Sequence, residues 1–240
     1  MIAIGNFFFK YRNIIFLFFY LALFIPSWPV FSEQNAGDNY FWWPICLGLF
    51  ITFSGQLIRA VSIALVYIIR GGKDGKVYAE KLVTQGMFNH CRNPLYIGNI
   101  LMLAGVGVLS NSLFYVAVML PVFIFIYHAI VLAEENFLRN KFNGQYNDYC
   151  KAVNRWLINP QGMSDTFSKN RFNWRRYILK EYNTMYIWLS GITLVILFTY
   201  PQVTNHDNHL RTLLLTIILP LLLALYLTAR YLKKSGRLKE

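Results

Sequence analysis

Leu82-Val83-Thr84-Gln85-Gly86-Met87-Phe88-Asn89-His90-Cys91-Arg92-Asn93-Pro94-Leu95-Tyr96 is the stretch whose reading decides the fold. An apolar hairpin begins at Pro94 and closes at Glu134-Glu135. Phe142-Asn143-Gly144-Gln145-Tyr146-Asn147-Asp148-Tyr149 comes next. Polar, aromatic and paired acidic residues therefore bracket two apolar segments on one side. A chain built this way can form a small-molecule pocket at a membrane face without a soluble catalytic domain.

The surrounding sequence supports a membrane setting. Of 240 residues, 56% are hydrophobic and 14% charged, against about 25% charged in an average soluble domain. Apolar runs reach the ~20 residues that cross a ~30 Å hydrocarbon core. They predict an all-α, polytopic transmembrane helix bundle of about six spans. The expected spans are Asn13 to Phe31, Phe41 to Ile69, a pair between Pro94 and Ala133 turning at Ser110-Asn111-Ser112, Thr184 to Tyr200, and Leu213 to Tyr231. Pro26, Trp28 and Pro29 follow the first run where a cleavage site would need small residues, so it reads as a retained span.

The net charge of +12 lies mostly between spans. Lys10 and Arg12 precede the first. Arg70, Lys73, Lys76, Lys81 and Arg92 follow the second, and a longer series from Arg139 to Lys180 follows the fourth. Arg230, Lys233, Lys234, Arg237 and Lys239 close the chain. Positive charge in alternate connections predicts both termini in the cytoplasm, in a bacterial inner membrane or endoplasmic reticulum, with membrane lipids as partners and no nucleic acid. Cys46, Cys91 and Cys150 show no paired spacing, so neither a disulfide framework nor a metal site is expected.

Glu134 and Glu135 end a span, where burial and the helix dipole both disfavour negative charge. They read either as a solvated cap or as partners of Arg92, Arg139, Arg155 or a cationic ligand. Arg92 and Asn93 precede Pro94, which fits the first position of a helix. They read as an anion site on free helix amides or as an interfacial anchor. Arg59 either snorkels or pairs inside the bundle. Gly105-Val106-Gly107 reads as a close-packing surface, and His128 as a satisfied bundle histidine. There is no HExxH, GxSxG, Walker A or soluble Rossmann pattern.

The order of these pieces resembles the isoprenylcysteine carboxyl methyltransferase and phospholipid methyltransferase family of integral-membrane enzymes. Leu82, Val83, Thr84, Gly86, Phe88, Arg92, Asn93, Pro94, Tyr96 and Gly98 match the first block of its pattern. Glu134, Glu135, Leu138, Phe142, Tyr146, Tyr149, Val153 and Arg155 match the second. The resemblance implies S-adenosylmethionine as cofactor, methyl transfer to a lipid or other hydrophobic small molecule, and a pocket on the cytoplasmic side. It implies cofactor contacts at Glu80, Lys81, Leu82, Val83, Phe88, Arg92, Asn93, Pro94, Leu95, Tyr96, Glu134 and Glu135, with no metal and no catalytic base assigned. It divides the chain into a two-span region at 1–81, a methyltransferase core at 82–158, and a basic loop with two further spans at 159–240.

Two departures bear on function. Asn143 stands where the family carries glycine, at a position expected on a surface helix to tolerate it. Ile130 stands where the isoprenylcysteine enzymes carry an arginine for the substrate carboxylate, which favours a neutral or amine-bearing acceptor, with Glu135 placed to help remove its proton. Two other readings remain: an NADPH-dependent sterol-type reductase using Arg171, Arg175 and Arg176, and a non-catalytic lipid-binding membrane protein.

Overall fold

The computed structural model describes residues 1–68, 72 and 75–238. Ile69, Arg70, Gly71, Lys73, Asp74 and Lys239, to which the sequence reading gave span, turn or charge roles, lie outside the described residues. The described chain is helical: α1 (Ile2–Ala22), α2 (Glu33–Ala36), α3 (Trp42–Leu65), α4 (Pro94–Leu109), α5 (Leu120–Ala152), α6 (Met163–Lys169), α7 (Trp174–Thr199) and α8 (Asn208–Lys234). A π-helical turn, Tyr115–Met119, leads into α5.

Among the described residues, five helices are long and apolar enough to cross a membrane: α1, α3, α5 with its π-turn, α7 and α8. The third expected span is shorter. With 16 residues α4 rises about 24 Å, less than the ~30 Å core. It ends where Ser110 turns its hydroxyl back to the Gly107 carbonyl at 2.8 Å. Asn111 then adopts φ 53°, a left-handed conformation that asparagine tolerates better than most residues.

Three expected boundaries move. The first helix starts at Ile2 and ends at Ala22, not at Asn13 and Phe31. Lys10 and Arg12 therefore lie within it. The fifth span begins at Trp174 rather than Thr184. Polar residues hid both starts: each helix has a first half of mixed polarity.

Backbone approach sets the packing of α3 on α4. A Cβ on Gly48 would lie 2.8 Å from the Gly105 carbonyl oxygen, and one on Gly55 would lie 2.6 Å from that of Gly98. Small residues allow this contact, as the Gly105 reading expected. Thr52 adds a hydrogen bond to the Met102 carbonyl at 3.0 Å. Helix α1 lies along α5 through Gly5, whose added Cβ would strike the Ala129 carbonyl, and through Phe16 and Phe19 against Phe123. Helix α7 meets α3 through Trp188, whose indole N–H donates to Thr52 at 2.7 Å.

These pairings are antiparallel. The start of α1, the end of α3, the start of α4, the extension of α5 and the start of α7 gather at one end. Helix α8 joins them there, its Lys233 ammonium donating to the Leu179 carbonyl at 3.2 Å. At the other end the turn 110–113 pairs with residues 27–31, Val30 N–H donating to Asn111 O at 3.2 Å and Leu113 N–H to Trp28 O at 2.9 Å.

Candidate active site

The two motif blocks meet because the turn before α4 docks on the segment after α5. Arg92 N–H donates to Asn154 O at 2.9 Å. Asn93 Nδ2 and Cys91 Sγ both reach Arg155 O, at 3.2 and 3.3 Å. His90 is buried with both ring nitrogens engaged, Nδ1 with Asn159 O at 2.8 Å and Nε2 with Thr166 Oγ1 at 2.7 Å. Tyr149 donates to the Phe88 carbonyl at 2.5 Å. Burial pushes the Cys91 thiol up, against the Asn93 N–H and the Arg92 charge, so it stays protonated and inert at neutral pH.

This junction surrounds a cavity of about 630 Å³, within the range of ligand sites. It is lined by Glu80, Lys81, Leu82, Val83, Phe88, Arg92, Asn93, Leu95, Tyr96, Glu134 and Glu135. Pro94 is buried at the first position of α4 and does not line it. It shapes the turn that presents its neighbours. Residues 77–83 cross the cavity as an irregular strap. The Lys141 ammonium holds the strap to α5, donating to the Ala79 carbonyl and lying 5.5 Å from the Tyr78 ring centre.

The adjacent glutamates have different surroundings. Glu135 is buried and pairs bidentately with Arg155 at 2.9 and 2.8 Å, with Arg92 Nη2 at 3.4 Å. Its hydrogen bond holds Arg155 still more firmly protonated. Both Glu135 oxygens are thus engaged by arginine, while the residue still lines the cavity. Glu134 faces the cavity and accepts a hydrogen bond from Tyr96 at 2.6 Å. Arg139 is exposed and has no part in either pair.

The anion-binding expectation also changes. Arg92 N–H is spent on Asn154 and Asn93 N–H on Cys91 Sγ at 3.4 Å. The Arg92 guanidinium takes their place: its Nε is buried without a hydrogen-bond partner among the described residues. The donor set fits S-adenosylmethionine. Glu134 and the aromatic faces of Tyr78, Phe88, Tyr96 and Tyr149 suit an ammonium and a sulfonium. Arg92 suits a carboxylate.

Deeper in the bundle, Arg59 takes the second of its two expected roles. It pairs with the buried Glu181 of α7, Nη2 at 2.7 Å and Nε at 3.1 Å. Ile130 is fully buried and lines the cavity. His128 does not. It stacks 6.2 Å from Trp156 instead of sitting as a hydrogen-bonded core residue. Sequence reasoning missed Arg12 and Tyr20 of α1, Asn99, Tyr127, and Thr184 and Trp188 of α7, all of which line the cavity. Asn99 and Arg12 carried a signal, a polar group within an apolar run. Thr184 and Trp188 carried none, because α7 lies far from the motifs in sequence.

Residues 43–145 match the family model described as phospholipid methyltransferase. The match bears out the resemblance read from the sequence, over less than half of the chain. Over 117 residues the chain is 39% identical to the cobalt-zinc-cadmium resistance protein CzcN of Cupriavidus metallidurans, covering 48% of this chain and 51% of that protein. Over 139 residues it is 23% identical to the nickel-cobalt-cadmium resistance protein NccN of Alcaligenes xylosoxydans xylosoxydans, covering 57% and 62%. The chain thus spans about half to three-fifths of the curated relatives it matches. No solved structure matches it.

Proposed function

We propose that this chain is an integral-membrane methyltransferase that uses S-adenosylmethionine to methylate a lipid or other hydrophobic small molecule. The observation that carries this reading is one cavity lined by Glu134, Tyr96, Arg92 and the 77–83 strap, with a largely apolar depth behind them that Arg59 and Asn99 also line. Bound S-adenosylmethionine supplies a methyl group activated by a sulfonium. Glu134, oriented by Tyr96, holds positive charge. Arg92 receives a carboxylate, and the aromatic walls exclude water. The protein contributes alignment of nucleophile and methyl, the main demand of an in-line displacement.

The proposal keeps residues 82–158 as the core, both termini in the cytoplasm, and membrane lipids as partners. It favours a neutral or amine-bearing acceptor, because Ile130 leaves that wall apolar and a buried unpaired carboxylate is costly. The reductase reading loses support, because Arg171, Arg175 and Arg176 do not line the cavity. The relatives' names bring in resistance to cobalt, zinc, cadmium and nickel, and a methylated membrane component is the form in which this chain would serve it. The test is methyl transfer from radiolabelled S-adenosylmethionine to phosphatidylethanolamine and to a prenylcysteine analogue in parallel. Label is expected in the amine lipid. Efficient turnover of the prenylcysteine analogue alone would reject the acceptor reading.

A further inference from the structure

A chain of hydrogen bonds with a forced direction crosses the deep part of the cavity. It begins at Arg59, held by two bonds to Glu181, which is fully buried. Arg59 Nη1 donates to Asn99 Oδ1. A guanidinium has donors only, so the Asn99 oxygen must face it. The Asn99 amide nitrogen then faces Tyr127, 2.8 Å from its hydroxyl oxygen. An amide nitrogen only donates, so the Tyr127 oxygen accepts. The Tyr127 proton must therefore point elsewhere, and no acceptor for it is found among the described residues.

Tyr127 is 4% exposed and lines the cavity with Asn99 and Arg59. Its ring centre lies 5.1 Å from that of Tyr96, the partner of Glu134. We infer that Tyr127 is a positioning residue for the acceptor: its hydroxyl donates to an oxygen of the acceptor molecule. The guanidinium polarises the chain, and such chains strengthen their terminal donor. The ligand class is an apolar molecule with a carbonyl, ester, phosphoryl or hydroxyl oxygen beside the methyl-accepting atom. This inference rests on the acceptor occupying the deep part of the cavity, as the proposed function has it.

The test uses purified full chain in phosphatidylcholine nanodiscs and carbonyl-labelled 2-undecanone as probe. Infrared spectra read the ketone band, which moves to lower frequency on accepting a hydrogen bond. The wild type should show a shifted band absent from protein-free nanodiscs. Tyr127→Phe should remove it and weaken ketone binding about 2- to 10-fold, the range of one net hydrogen bond. Asn99→Leu, which frees the tyrosine to rotate, should reduce the band in the wild-type background and change nothing in the Y127F background. Such non-additivity marks a shared pathway, whereas independent packing defects add. A band unchanged by Y127F, no shifted band in the wild type, or equal effects of N99L in both backgrounds would overturn the assignment. Binding of radiolabelled S-adenosylmethionine to the same preparations reads the cofactor half separately. Its failure would sink the methyltransferase reading while the ketone band still judges Tyr127.

Discussion

At the scale of single residues, the adjacent Glu134 and Glu135 are separated by what approaches them. Arg155 takes Glu135 and leaves Glu134 to the cavity. Glu134→Gln should remove a charge-assisted contact worth about 1.5 to 3 kcal/mol, so equilibrium binding of S-adenosylmethionine should weaken roughly 10- to 100-fold. Unchanged affinity in a folded variant would remove Glu134 from the site. Asn143 gives a second prediction. It is exposed, as expected, and sits inside α5 at φ 44°, ψ −117°, a backbone that glycine adopts without strain. Asn143→Gly should stabilise the protein by about 1 kcal/mol, read as a small rise in melting temperature. The site was legible where chemistry repeats in short blocks, from Leu82 to Arg155. Asn99 and Tyr127, between the two blocks, were passed over although Asn99 is a polar group in an apolar run, and only the fold brings both beneath those blocks.

Between elements, glycine and one buried ion pair do most of the positioning. Gly105→Val would drive a side chain toward the Thr52 amide nitrogen, 2.3 Å from the ideal Cβ position. Overpacking of this kind costs about 1 to 3 kcal/mol or more, and the expected readout is loss of monodisperse protein after extraction. Wild-type yield and melting would show that α3 and α4 do not meet there. The Arg59–Glu181 pair latches α7 to α3. Glu181→Ala leaves a buried cation and should cost about 3 to 5 kcal/mol, while the double change Arg59→Met with Glu181→Leu should recover most of it. Thermal melts of the single and double variants decide this, and equal losses would contradict it. Helix identity was readable from apolar runs, but helix starts were not. Arg12 read as a charge ahead of the first span until packing placed it on α1, lining the cavity.

For the whole molecule, antiparallel pairing brings the cavity, the first turn of α1 and the last turn of α8 to one end. Composition and run length foretold a polytopic helical bundle. Hydropathy did not show that the two arms of the 94–133 hairpin differ in length: α4 has 16 residues, yet it runs from the cavity end of the bundle to the turn at the other end. In a cysteine-free background, single cysteines at Lys169 and Asp207 test the orientation. Lys169 should be shielded from an impermeant thiol reagent in intact cells and Asp207 labelled, and the reverse pattern would overturn cytoplasmic termini. The central claim is that this end of the bundle binds S-adenosylmethionine. Photocrosslinking of radiolabelled S-adenosylmethionine to the purified chain, with NADPH as competitor and mapping of the labelled peptide, tests it most directly. The account predicts label on the 77–96 segment or around Glu134, undiminished by NADPH. Absence of label, or label displaced by NADPH, would contradict it.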